Sequence, residues 1–554
     1  MDMNEGNRRH RRDNFPTTTP MNRIRLFITL ITAPLLFSRL CKDIMKHAPM
    51  FFTALLLALV PVFAAETGTE TIRCELAVIG GGSGGFGAAL AAARLGVDVV
   101  LVERSDRLGG NSVRGGVNIW EPGLGGTGFP FDIYRRLTRE PKAVGIYSMA
   151  RHMSTFDPAR EAYRFPGGET VIDPARSYLD SLQRHGLANA KLHGVVFEPD
   201  AMAKTMLAML EETGHCRVLF RTEFKRVKAD AGRIQSVTIQ KVRFADGRPI
   251  VESRALAANY FVDATGDGLV CEEAGCTMMT GQEARTQFDE PGAPDEPTPR
   301  VNGVSLLYRV TPVTSPAVEP LPEGIAPECW WGKNFPVAQI NHYPNGDLNV
   351  NMLPTMEGAE FMKLGWVDAR TECERRVRAH WHDIQTRCAE FRGFRLDSIA
   401  PVLGVRETKR VVGEYVLTQN DLDAGISGQK HADIICIADH PCDTHGGHNK
   451  GIKPLREPYG VPFRCLIPKG QHNLLITCRA ASFSSIAASS CRLSRTMMQL
   501  GQAAGTAVAL AKELKVELPA VPAERLREAL RRQHVQLEHP MPAPLRSFLE
   551  NESP

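Results

Sequence analysis

Ten residues, Asp439 to His448 (DHPCDTHGGH), crowd three histidines and two aspartates into a glycine-bearing loop. Imidazole is the side chain best matched to moving a proton near neutral pH, so the pattern suits general acid–base work. The same residue types could ligate a metal, but one H-x-x-H pair, His445 and His448, is a thin ligand set, and no metal is expected. Arg406 and Glu407 sit in LGVRETKRVVGEY. Arg406 could clamp a carboxylate or stabilise developing charge, or pair with Glu407 as a structural link between domains. Arg492 and Arg495, three apart, share a helix face. They could hold a phosphate, an acidic substrate or, most simply, Asp and Glu partners. His445, His448 and Arg406 are the candidate catalytic residues.

A second set acts through the backbone. Leu76 to Glu103 reads LAVIGGGSGGFGAALAAARLGVDVVLVE. A short apolar strand ends at Ile79, and Gly80, Gly82 and Gly85 follow in the spacing G-x-G-x-x-G. An Ala-rich helix over residues 87–95 leads to a second apolar strand, 97–102, that ends at Glu103. This βαβ unit is a dinucleotide-binding fingerprint. Gly80 permits a tight turn, Gly82 lets a pyrophosphate approach the backbone, and Gly85 lets helix and strand pack closely. Free N–H groups at the helix start favour the pyrophosphate, and Glu103 is placed to accept from the ribose hydroxyls.

Other elements must position these groups. Residues 201–212 read as a helix, and 218–220, 224–228 and 234–240 as strands, with a turn at Asp246-Gly247. Tyr260 to Gly268 (YFVDATGDG) is a strand running into a tight turn. Residues 304–310 and 348–352 are strand-like, with a hairpin turn at Asn345-Gly346. Residues 356–391 are mostly helical, with Cys373, Val377, Trp381, Ile384, Cys388 and Phe391 forming one buried stripe. A helix opens at residues 482–485 and runs to about Leu514, where Gly501 and Gly505 allow close backbone packing. Residues 519–554 read as a short helix and a loose tail. The Gly-rich stretch 115–128 is entropically costly to order, and a cofactor or substrate is the natural candidate to order it.

The 554 residues are 43% hydrophobic and 23% charged, a globular composition long enough for two or three domains. Residues 1–64 hold nine Lys/Arg against four Asp/Glu, which leaves the rest of the chain at −1 despite a total of +4. There is no basic patch, so no nucleic-acid partner is expected. Residues 1–64 read as a targeting region, with a complete secretory signal over 45–64: a basic start, an apolar core and small residues at the cut. Met45 reads as the true start. A periplasmic or secreted location is expected, an uncleaved N-terminal membrane anchor being the alternative. No later segment reaches eighteen apolar residues, so no membrane span is expected after signal removal. Thirteen cysteines include no C-x-x-C and no iron–sulfur run.

Three stretches carry a family resemblance: VIGGGSGGFGAA with Glu103 and LGGN (Leu108 to Asn111); YFVDATGDG; and NLLITCRAASFSSIAASSCRLSRTMMQLGQAAGTA. Through them residues 74–514 resemble the FAD-dependent oxidoreductase family. The resemblance places that family within the large group of flavoproteins with a glutathione-reductase-like FAD domain, which also includes fumarate reductase and heterodisulfide reductase flavoproteins. The resemblance implies an α/β fold: a Rossmann-like discontinuous FAD-binding domain with an inserted α+β substrate domain. The FAD-binding parts would be 72–118, 193–300 and 460–515. Substrate or cap parts would be 119–192 and 301–459, and 516–554 a C-terminal tail.

It further implies FAD as cofactor, held by Gly80, Gly82, Gly85, Glu103, Arg104, Gly109, Gly110, Asn111, Asp263, Gly266, Asp267, Ser484 and Ser485. The helix start at Ser484 and Ser485 would face the flavin pyrimidine and raise its potential. The implied reaction is hydride transfer between a small polar or anionic substrate and flavin N5, with His445 or His448 as base and Arg406 orienting the substrate. The chain has Cys478 before Arg479 where the family has Gly, which puts the local backbone path in question. No second nucleotide fingerprint is present, so a bound pyridine nucleotide is not the expected electron acceptor, whose identity stays open. Three alternatives remain: an electron-transfer flavoprotein subunit of a larger redox complex, a non-catalytic flavin-binding protein, and an oxidase.

Overall fold

The computed structural model describes residues 71–149, 152–154, 177–182, 192–245, 248–331, 337–352, 354–446 and 452–553. Residues 1–64, expected to be a targeting region, the expected turn at Asp246-Gly247 and His448 therefore lie outside the described residues.

Two apolar runs found the main sheet. β1 (Ile72–Ile79) is buried over its last four residues, and α1 (Ser83–Arg94) leads from it to β2 (Val99–Glu103), buried throughout. Such unbroken apolar runs belong to parallel strands covered on both faces. β1 and β2 pair in parallel, and β3 (Cys216–Phe220) adds in parallel outside β2. β4 (Thr222–Asp230), β5 (Arg233–Ala245) and β6 (Arg248–Asp263) form an antiparallel meander. The first half of β6 pairs with β5, and its second half runs parallel to β1 and to Leu474–Ile476. The order is β3-β2-β1-β6-β5-β4, with Leu474–Ile476 also on β6, seven strands in all. β1, β2, β6 and Leu474–Ile476 thus end at one sheet edge. Open α/β sheets bind ligands at that edge, and the loops after Ile79, Glu103, Asp263 and Ile476 all emerge there.

α1 is buried on every side from Gly84 to Ala93. It starts at Ser83 rather than 87. Its glycines are poor helix formers, but they are pinned between neighbouring backbones and packing prevails.

A second hydrophobic core runs from Val304 to Val405. Its antiparallel sheet contains β7 (Tyr308–Pro312), β8 (Val337–His342) and β9 (Leu348–Met352), covered by α2 (Gly358–Arg387) and completed by β10 (Phe394–Ile399). The order is β10-β7-β9-β8, with His152–Ser154 at the edge. Cys373, Val377, Trp381 and Ile384 of α2 are buried as the stripe implies. Val304 and Ser305 make only isolated bridges, to Met356 and Gly404. From Val411 onward the chain packs into the first core.

One long C-terminal helix is expected, and two are found: α3 (Ser485–Ser490) and α4 (Ser494–Leu514). Serine hydroxyls compete for the backbone at the break. Ser489 Oγ donates to Ile486 O at 2.7 Å, and Ser490 Oγ donates to His440 O. α4 then crosses α1 backbone to backbone. A Cβ on Gly501 would lie 2.0 Å from Gly84 O, and one on Gly505 2.2 Å from Ala88 O.

The expected loose tail is instead packed. α5 (Ala523–Arg532) buries Leu526 and Leu530, α6 (Ala543–Glu550) buries Leu549, and Phe548 meets Phe131 edge-on at 5.6 Å. No described helix is long and apolar enough to cross a membrane. The twelve described cysteines are free thiols.

Candidate active site

The fingerprint glycines divide their labour as their spacing suggests. Gly80 takes φ +109°, and a Cβ there would lie 2.2 Å from Ala264 O. A Cβ on Gly85 would strike Gly80 O at 1.8 Å. Gly82 differs. Its backbone (φ −71°, ψ −174°) suits any residue, and nothing lies within 4 Å of a Cβ placed on it. That open space fronts the start of α1, whose first N–H groups have no intrahelical acceptor. Gly109 N–H donates to Gly81 O at 2.8 Å, and Gly110 (φ +50°) packs so close that a Cβ on it would lie 3.1 Å from Gly82 Cα. The LGGN loop is thus held against the helix start, as a pyrophosphate cradle requires.

Glu103 serves the turn as well. Its Oε2 accepts from Gly81 N–H and its Oε1 from Ser105 N–H, both at 2.7 Å. Each oxygen keeps a second lone pair for a ribose hydroxyl. The Arg104 guanidinium lies 5.7 Å from the Trp366 ring centroid. Together these residues fit the diphosphate and ribose of FAD.

Asp263 is spoken for. Fully buried, its carboxylate accepts from the Thr265 N–H and hydroxyl and from the Val270 and Cys271 N–H groups, at 2.8–3.0 Å. These four bonds fill its acceptor sites and cap the short helix Leu269–Glu273. Asp263 therefore shapes the loop from within. Gly266 (φ +95°) lies beneath the Arg479 guanidinium, and Asp267 pairs with Arg479 at 2.5 Å and accepts from Thr408 Oγ1 at 2.7 Å. Cys478 is buried and is not among the residues with positive φ, so its side chain costs the backbone no left-handed strain.

Ser484 and Ser485 also face inward. Ser484 caps α3 through Ala487 N–H and donates to Glu290, and Ser485 N–H donates to Glu283 Oε2 at 2.9 Å. Two buried acids thus close the start of α3. The open helix start belongs to α4, nine residues on. Leu493 gives it no side-chain cap, and Ser494, Arg495 and Met498 line a narrow cavity with Ser83 and Ser112.

Protein groups of α4 and Asp439 bond the glycine-rich stretch. Arg495, 1% exposed at its side chain, pairs with Asp439 and donates to Glu121 O. Leu124 N–H donates to Asp439 Oδ2 at 3.0 Å. Gln499 Nε2 donates to Thr127 O at 2.9 Å, and Phe129 N–H donates to Gln502 Oε1 at 3.2 Å. The polar face of α4 serves as the loop's partner.

The segment 405–410 ties the cradle to the second core. Asn111 Nδ2 donates to Val405 O at 3.1 Å. Arg406 does not pair with Glu407. Its Nη1 donates to Gly303 O at 2.9 Å and to Ser305 Oγ at 3.0 Å. Glu407 turns the other way to the fully buried Arg410, which also binds Glu283.

Beside Arg406 stands an imidazole–carboxylate pair. His445 Nε2 lies 2.7 Å from Asp443 Oδ2, which also accepts from Arg492 Nη2 at 2.8 Å. Asn302 holds the loop by accepting from His445 N–H at 2.8 Å, while its amide donates to Glu407 at 3.0 Å. Burial and the Arg406 charge push His445 down to about 4, against the pull of Asp443. Burial alone would raise Asp443, but His445 and Arg492 hold it well below the usual carboxylate range. Burial and Arg492 lower Arg406 to about 9, so it stays cationic at neutral pH. An ionised carboxylate only accepts, so the proton of the neutral ring sits on Nε2 and Nδ1 keeps its lone pair. Asp443 and Arg492 thus join the candidate residues. Their signal was present in the Asp–His spacing and in the expected acidic partner for Arg492. Among the described residues no group of acidic, His and Cys side chains could hold a metal ion.

Residues 75–530 match the model of a family described as FAD dependent oxidoreductase. A 53-residue stretch is 42% identical to 3-oxosteroid 1-dehydrogenase of Rhodococcus opacus, spanning a tenth of either chain. Among solved structures, a geranylgeranyl bacteriochlorophyll reductase-like protein of Thermoplasma acidophilum shows 12% identity over 87% of this chain and 97% of its own, with a TM-score of 0.41. A myxobacterial FAD-dependent chondrochloren halogenase shows 14% identity over 84% and 79%, with a TM-score of 0.40.

Proposed function

The chain belongs to the FAD dependent oxidoreductase family, and from that premise we propose that it oxidises a small polar or anionic substrate at a carbon bearing a hydroxyl or amine. Bound FAD supplies the hydride acceptor at N5. His445 takes the accompanying proton at Nδ1, with Asp443 fixing the ring and its tautomer. Arg406 and Arg492 set a positive field that favours an anionic group. The observation that carries this reading is the His445–Asp443 contact between Arg406 and Arg492, Arg406 following the Val405 carbonyl that accepts from Asn111 of the LGGN loop. Glutathione-reductase-like kinship rests on the three quoted stretches alone.

Anaerobic mixing of the yellow protein with hydroxy acids, amines and sugars tests the reaction. At least one class should bleach the flavin, and Arg406→Lys should raise KM, because a point charge cannot reproduce the guanidinium fork. If dithionite bleaches the flavin and no member of the panel does, the dehydrogenase reading fails. We also propose export, from the pattern over residues 45–64. N-terminal sequencing of host-expressed protein should read from Ala65 or Glu66, and a chain beginning at residue 1 would refute it.

A further inference from the structure

The short helix Leu269–Glu273 ends on a pair of cysteines. Its cap is Ala274, and Gly275 follows in the left-handed region at φ +81°. Gly275 N–H donates to Glu272 O and Cys276 N–H to Cys271 O, both at 3.0 Å. Those two bonds make a Schellman ending, which lays the residue after the glycine over the third-last helical residue. An apolar contact usually fills that place. Here both residues are cysteine, and the Cys271 thiol donates a hydrogen bond to the Cys276 sulfur.

The two thiols differ in access and in acidity. Cys271 is fully buried, and Cys276 is partly exposed. Burial pushes the Cys271 thiol up, while the hydrogen bond it donates holds Cys276 below the ordinary thiol value. Cys276 is therefore both the thiolate that forms first and the one that solvent reaches. Cys436, Cys465 and Cys491 are fully buried, and an external reagent has no path to them in the folded chain.

We propose that Cys271 and Cys276 are a modification site, a dithiol that small-molecule disulfides convert reversibly to an intrachain disulfide. The Cys276 thiolate attacks one sulfur of the reagent and releases the first external thiolate. Cys271 then attacks Cys276 Sγ, and its proton leaves with the second external thiol. Two protein thiols are oxidised with the loss of two hydrogens, and one external disulfide is reduced to two thiols. The new bond staples the helix whose Val270 and Cys271 N–H groups hold Asp263 to the chain entering the strand Met278–Thr280, which pairs with Lys409–Val411. The exchange uses neither His445 nor bound FAD.

The test takes the folded protein as purified, reduced with dithiothreitol and desalted, and incubates it with oxidised glutathione. Acid quench, denaturing digestion after glutamate and mass spectrometry follow. Glu272 and Glu273 lie between the two cysteines, so the cleaved Cys271 and Cys276 peptides stay joined only if the link has formed. The expected result is that joined pair, short of two hydrogens and separated by dithiothreitol. Cys271→Ala should instead trap glutathione on Cys276 as a mixed disulfide, and Cys276→Ser should take up none at Cys271. If Cys271→Ala fails to fold, Cys276→Ser, at a partly exposed position, keeps the comparison with wild type. Two free thiols after treatment of wild type, or a lasting glutathione adduct on its Cys276, would overturn the assignment. So would a link from Cys271 to Cys478, the buried thiol whose charge Cys271 also feels.

Discussion

At the residue scale, the site is built on carboxylates that already have partners. Asp263 and Glu103 both matched a cofactor-binding pattern, yet Asp263 spends its acceptors on its own loop while Glu103 keeps lone pairs to offer. The sequence marks both as acids after a strand and cannot separate them, because the difference lies in which backbone N–H groups fold back. The His445–Asp443 pair makes a stability prediction. His445 falls from its ordinary 6.5 to about 4 in the fold, so between those values the unfolded chain binds the extra proton and stability rises with pH. Asp443 is lowered as well. Its contribution is present above the ordinary carboxylate value and is lost as pH falls below it, so both groups act in the same direction. Tm should therefore fall as pH drops from 6.5 to 4, and His445→Ala should flatten that slope. Equal slopes in the two proteins would place the acid sensitivity elsewhere.

At the element scale, the glycines of α1 separate binding from folding. Gly82→Ala enters open space, so the variant should fold with native Tm and lose FAD on gel filtration. Gly84→Ala puts a Cβ 1.6 Å from Thr477 O, an overpacking that costs about 1–3 kcal/mol or more. It should lower Tm even without cofactor. Comparable loss of Tm in both variants would contradict the division. The fingerprint was legible because glycine spacing reports backbone geometry directly. The partner of the glycine-rich loop was not. Arg495, Gln499 and Gln502 sit four and three apart and read as a solvated helix face, yet all three are buried against carbonyls and N–H groups of residues 121–129. Polar periodicity reports one face and leaves open whether water or backbone meets it. The break before Ser494 was hidden similarly, by serines whose hydroxyls turn to the main chain.

At the scale of the whole molecule, two cores meet along segment 405–410, and the candidate base stands where they meet. The C-terminal helices brace this arrangement. Gln536 N–H donates to Thr127 Oγ1 at 2.9 Å, and Gln533 accepts from Gln502 at 2.9 Å. Truncation after residue 522 should expose the Leu526, Leu530 and Leu549 pockets, lower Tm and open residues 121–129 to proteolysis. An unchanged digestion pattern would show that the tail is dispensable. That the tail packs could be read only in part from Leu526 and Leu530, since a short amphipathic helix does not say which surface it covers. The most direct measurement of the central claim is anaerobic single-turnover reduction of bound flavin by the best substrate of the panel, in wild type and His445→Ala, across pH. The expected result is full FAD occupancy in both proteins. The wild-type rate should fall only as pH approaches about 4, and the variant should be slower by roughly a hundred- to ten-thousandfold. A variant that reduces its flavin at the wild-type rate at every pH would contradict the assignment of His445 as the base.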